Sequence, residues 1–230
     1  MKKALWIVMA ASLAVAVSAA SAQTEVLSAN AVGYIKKTLP PGGDWVAMSI
    51  PLDSMTNANL VFGETSVAEE APVGSEVAFW DPIGQGWVIG GKSSKGWGSY
   101  GTQVILPGEG FFLKGDPVAV SDAEVTITGE VPPDAQISRA VPAGDGFGAL
   151  ANPYPVDFVF GTSSLASNAP VGSEVAFWDV DSQGWIIGSK SSKGWGSYGD
   201  QLILAGEGFF LKAPGSSFNW DADKPYTWPE

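Results

Sequence analysis

APVGSEVAFWDPIGQGWVIGGKSSKGWGSYGTQVILPGEGFFLK occupies residues 71–114, and APVGSEVAFWDVDSQGWIIGSKSSKGWGSYGDQLILAGEGFFLK occupies residues 169–212. Thirty-six of the 44 positions are identical at an offset of 98, so the chain carries one unit twice. Upstream the likeness is looser. Ile35, Pro40, Trp45, Ala47 and Pro51 meet Ile137, Pro142, Phe147, Ala149 and Pro153 at an offset of 102, and residues 60–63 meet 158–161 at 98. The first copy therefore holds four extra residues between Pro51 and Leu60. A unit this long exceeds the repeats that stack as solenoids. Two arrangements remain, two β-modules side by side or one pseudo-symmetric body sharing a core. The first is expected, with module one over residues 23–139 and module two over 140–230.

Strand signals dominate the unit. Residues 124–131 alternate, with Val125, Ile127 and Gly129 on one face and Glu124, Thr126, Thr128 and Glu130 on the other, which predicts a half-exposed strand. Residues 76–80, 87–89, 103–106 and 111–113 are apolar on both faces, as strands inside a sandwich or at a module interface would be. The 29 glycines and 16 prolines interrupt the chain every few residues, which permits short strands and tight turns but almost no helix. A single helical turn is expected at residues 57–62 and again at 157–160. Pro51 and Pro153 are expected inside apolar strands, at edges or bulges. Copy two ends differently, in residues 216–230 with Trp220, Tyr226 and Trp228, where copy one has residues 118–131. That tail either replaces a missing strand or covers an edge. The expected class is all-β, a tandem pair of sandwich-like modules.

The N-terminus reads as a secretory signal: Lys2 and Lys3, an apolar stretch over residues 4–17, then Ala20-Ser21-Ala22 as a cleavage site. A mature chain starting at Gln23 is expected, secreted, periplasmic or on the outer surface of the cell. No other stretch approaches the roughly 20 apolar residues a spanning helix requires, so no transmembrane segment is expected in the mature chain. Losing residues 1–22 removes two lysines and no acids, leaving ten cations against 24 acids and a formal charge of −14. That field argues against nucleic acid as a partner. The chain has no His and no Cys, which excludes Ser-His-Asp and Cys-His catalysis, thiolate or imidazole zinc sites and disulfides.

The order Val32-Gly33-Tyr34-Ile35, a Pro-Gly turn, Pro51, Ala78-Phe79-Trp80-Asp81, Trp97, Pro107-Gly108-Glu109-Gly110-Phe111-Phe112 and Thr128-Gly129-Glu130-Val131 resembles an uncharacterised verrucomicrobial family of exported β-repeat proteins. The run Ala151-Asn152-Pro153-Tyr154-Pro155, followed by Gly206-Glu207-Gly208-Phe209-Phe210, is similar to β-modules of secreted surface proteins of Bacteroidetes type. The resemblance implies an extracellular setting and brings no catalytic residues.

The densest chemical feature is a repeated loop. Lys92, Lys95, Trp97 and Tyr100 recur as Lys190, Lys193, Trp195 and Tyr198, holding four of the ten mature cations. Exposed Trp and Tyr rings beside ammonium donors would stack on a sugar and hydrogen-bond its hydroxyls. Rings turned inward would instead cover the end of a sheet. Gly96-Trp97-Gly98-Ser99-Tyr100-Gly101 spells the dinucleotide fingerprint, but it leads into another strand rather than a helix, and no nucleotide cofactor is expected. Asp179, Asp181 and Gln183 resemble half of a calcium loop, yet Lys190 stands where its bidentate Glu belongs, so a plain hairpin turn is preferred. Glu76, Glu174, Glu109 and Glu207 have ready structural roles, and nothing pairs them as a glycosidase acid and base. The expected function is non-enzymatic: assembly or adhesion in the envelope or outside the cell, by self-association or with other envelope proteins. Polysaccharide binding by the repeated loops is the alternative.

Overall fold

The computed structural model describes residues 31–142, 144 and 146–227. The expected signal segment, the start at Gln23, and Trp228 lie outside the described residues.

The first half runs β1 (Val32–Leu39), β2 (Trp45–Ser49), β3 (Leu60–Val61), α1 (Ser66–Glu70), β4 (Glu76–Asp81), β5 (Gly86–Gly91), β6 (Val104–Ile105), β7 (Gly110–Lys114) and β8 (Ala123–Glu130). The second half repeats that order as β9 (Gln136–Val141), β10 (Gly148–Ala151), β11 (Phe158–Val159), α2 (Ser164–Asn168), β12 (Glu174–Asp179), β13 (Gly184–Ser189), β14 (Leu202–Ile203), β15 (Gly208–Lys212) and β16 (Phe218–Asp223). Each half builds an antiparallel four-stranded sheet, in the orders β2-β7-β4-β5 and β10-β15-β12-β13. The protein is all-β with two similar sheets. Within the tail, Phe218–Asp223 supplies the missing strand, since β16 pairs with β9 as β8 pairs with β1.

Alternation along the central strands explains why they are apolar on both faces. Val77 and Phe79 of β4, with Phe111 and Leu113 of β7, face a core closed by Ile35, Val125 and Ile127 of the β1–β8 ribbon and by Val67 and Ala68 of α1. The second half packs its own equivalent core. Ala78 and Phe112 point the other way and meet Ala176 and Phe210 from the second sheet. The two sheets thus lie face to face, each backed by its ribbon and helix. Each half has its own core, and a third apolar layer joins them.

Reciprocal contacts give that layer a pseudo-twofold symmetry. Trp80 Nε1 donates to Phe147 O at 2.7 Å, and Trp178 Nε1 donates to Trp45 O at 2.8 Å. Ser49 N donates to Gly206 O at 3.0 Å, and Ala151 N to Gly108 O at 2.9 Å. Gly110 and Gly208 stand where β7 and β15 approach. A Cβ on Gly110 would lie 2.9 Å from Leu150 O, and one on Gly208 would lie 2.8 Å from Met48 O, so neither position accepts a side chain without backbone movement. Charge follows the same symmetry: Arg139 reaches Glu109 at 3.6 Å, while Lys37, at the matching position of copy one, lies near Glu207. Burial pushes the Glu207 carboxyl up and the Lys37 ammonium down, each opposed by the other's charge.

Four expectations change. The repeats divide before β9, because residues 136–141 form one strand paired with β16, so a division at 139/140 would cut it. The helical turns lie later than expected, at α1 and α2, with residues 62–64 and 160–162 as 3-10 turns. Pro51 and Pro153 sit two residues beyond the ends of β2 and β10 rather than within strands. Residues 87–89 lie on an outermost strand with Trp87 facing the layer between the halves, and of residues 104–106 only Ile105 enters a core.

Candidate functional site

The repeated loops carry structure first. Trp97 and Trp195 are each only 6% exposed, so of the two arrangements open to the sequence their rings take the inward one and are not stacking platforms. Their indole N–H groups donate to Ala68 O and Ala166 O, both at 2.9 Å, and their rings meet Phe62 and Phe160 edge to face at 5.0 Å. Tyr100 and Tyr198 are half-buried and lie flat on Gly90 and Gly188, where a Cβ would fall 2.1 and 2.2 Å from ring carbon. Lys92 Nζ donates to Ala68 O, Glu69 O and Ala71 O at 2.7–2.8 Å, closing the C-terminal end of α1. Lys190 does the same for α2 through Ala166 O, Ser167 O and Ala169 O. Burial lowers the Lys92 ammonium below the ordinary lysine value, with Glu69 opposing the shift. Lys95 and Lys193 are exposed. A shallow depression of about 540 Å³ gathers Lys92, Lys95 and Trp97, and one of about 550 Å³ gathers Lys190, Lys193 and Trp195.

The calcium-like turn is an Asx turn. Asp179 accepts from Asp181 N at 3.1 Å and Ser182 Oγ at 2.7 Å, and these bonds hold its carboxyl below the usual carboxylate value. Gln183 faces the first half, accepting from Trp45 N at 2.8 Å and donating to Trp45 O at 3.2 Å, so its amide is not arranged as a metal ligand. Among the described residues, no group of three or more His, Cys, Asp or Glu side chains is placed to hold a metal ion. Glu76 and Glu174 pair with Lys114 and Lys212 at 3.0 and 2.9 Å. Glu109 and Glu207 accept from Leu106 N and Leu204 N, both at 2.9 Å, which pins their turns.

The unsatisfied surface lies elsewhere, on β5 and β13. Both are outermost strands of their sheets. Trp87, Val88 and Ile89 are 38%, 48% and 48% exposed, and Trp185, Ile186 and Ile187 are 39%, 44% and 53% exposed. Neither Gly86–Gly91 nor Gly184–Ser189 contains a charged residue or a proline. Pairing with β4 and β12 is unbroken over six positions each, so neither strand has a bulge. Beneath them open two apolar clefts of about 190 Å³ each, walled by Trp87 and Trp185 together with the aromatic layer that joins the sheets. The apolar composition of residues 87–89 and 186–187 was the signal for this surface. Periodicity alone gave no indication of what would cover it.

Comparison with family models, with curated proteins and with solved structures finds no match to this chain.

Proposed function

We propose that this is an exported, non-enzymatic protein of the cell envelope or its exterior that works through protein surfaces, by assembly or adhesion. One observation carries the reading: the described residues present two bulge-free, uncharged apolar edge strands of six residues each. Soluble proteins guard such edges with charge, proline or cover, because an open edge templates pairing with another chain. Among the described residues no strand pairs with the outer side of either edge, and an edge left so is fit to pair with another chain. The signal-like N-terminus and the resemblance to exported β-repeat proteins support the location. The repeated carboxylates, each engaged in a pair or a turn, support a structural role for the residues an acid–base mechanism would need.

Polysaccharide binding draws its support from the two depressions with Lys95 and Lys193. With Trp97 and Trp195 buried in their cores, those depressions offer no Trp face on which a sugar could stack.

The test is cross-linking and sedimentation of the purified full chain at rising concentration, with retention of isolated envelope proteins as a second arm. Oligomers or specific retention are expected. A strict monomer that retains no envelope protein overturns the reading.

A further inference from the structure

We infer that copies of this chain join edge to edge, with β5 or β13 of one copy pairing with an outer strand of the next. The inference rests on the assembly reading above and adds the partner and the geometry.

A second copy fits the site for three reasons. First, the clefts are of side-chain size. At about 190 Å³ each they fall below the roughly 300 Å³ at which pockets for drug-sized ligands begin. A strand added to β5 or β13 leans every second side chain over the inner face, above a cleft. Ile89 and Ile187, on the inner face of these same strands and about half exposed, are what a second copy would bring over a cleft, while Trp87 and Trp185 stay as its walls.

Second, the clefts continue the layer in which the two halves already recognise each other. Trp87 packs on Phe112 of its own sheet at 5.1 Å and on Phe210 of the other at 5.5 Å, and Trp185 packs on Phe210 and Phe112 at 5.2 and 5.6 Å. An incoming copy extends an aromatic interface that this sequence makes with its own repeat. Third, charge selects the place. At a formal charge of −12 two copies repel, and the uncharged strips over Gly86–Gly91 and Gly184–Ser189 are where close approach costs least. The pseudo-twofold leaves one such edge on each sheet, and both edges border the same pair of clefts, each lined by Trp87 and Trp185.

The experiment is sedimentation velocity on the full chain, expressed with its own N-terminal segment, beside Val88→Lys, Ile186→Lys and the double variant. Both positions are about half exposed, and circular dichroism establishes that each variant is folded. Val88→Glu and Ile186→Glu stand in where a lysine variant fails. The parent should form oligomers whose share grows with concentration and with added salt as repulsion is screened. Each single variant should assemble less than the parent at the same concentration, and the double variant should remain a monomer. A folded double variant that assembles like the parent overturns the edge inference while leaving the assembly reading in place. A parent that is monomeric throughout removes self-assembly altogether, and the envelope-protein arm then decides whether adhesion survives. Cross-links from β5 or β13 to residues 4–17 of the same chain would assign the edge to the N-terminal segment and also overturn the inference.

Discussion

Trp97 and Trp195 each bury an indole and aim its N–H at a carbonyl of the adjoining helix, so their removal is a stability event. Trp97→Ala should cost about 3–5 kcal/mol, the usual range for emptying a large buried aromatic site. Denaturant unfolding checks it, with Trp195→Ala expected to match because the surroundings repeat. At Tyr226, burial pushes the phenol up to about 12, with Tyr154 and Asp53 adding to the shift. A raised folded value means the folded chain keeps a proton that the unfolded chain releases. That contribution is whole below about pH 10, the ordinary tyrosine value, and is lost as pH rises toward 12. Asp53 is also raised, by burial first and then by Asp134 and Glu130. Its contribution is present below the ordinary aspartate range and disappears as pH climbs through the raised value. Asp53→Asn should therefore unfold at higher denaturant than the parent at pH 7 and with a flatter dependence on pH from 4 to 7. Unfolding midpoints measured across that span decide the point.

Among the elements, the two five-residue helices illustrate why short structure escapes a sequence. Each is too short to show a 3.6-residue period, and its stability comes from its ends. Thr65 Oγ1 accepts from Ala68 N at 3.2 Å and Ser163 Oγ from Ala166 N at 3.1 Å, while Lys92 and Lys190 close the opposite ends. Thr65→Ala and Ser163→Ala should each cost about 1 kcal/mol. Hydrogen exchange should place the loosening in the helix and in the adjoining β8 or β16. Strand β8 is the opposite case, legible because its alternation is regular and one of its faces meets water. In β16, Trp220 and Ala222 are buried although the tail shares little sequence with residues 118–131. Position in the chain and alternation, rather than identity, made it the counterpart of β8.

At the scale of the molecule, Phe112 and Phe210 hold the two halves together from the centre of the shared layer. With three apolar layers in contact, the described chain should unfold in one transition. Phe112→Ala with Phe210→Ala empties the middle layer and leaves both outer cores complete. Calorimetry should then resolve two transitions, and a single transition in that variant would mean the halves are coupled by other contacts.

The sequence by itself determined the duplication, the all-β class and the alternation that turns Val77, Phe79, Phe111 and Leu113 one way and Ala78 and Phe112 the other. These are local properties, set by side-chain period and by glycine and proline placement. Only the tertiary structure decided which core each face entered, that Trp97 pointed inward to Ala68 while Trp87 remained half in water, and that β5 and β13 lay at open edges. Those outcomes depend on which surfaces meet across gaps of many residues, and an apolar run carries the same pattern whether a neighbouring strand covers it or not.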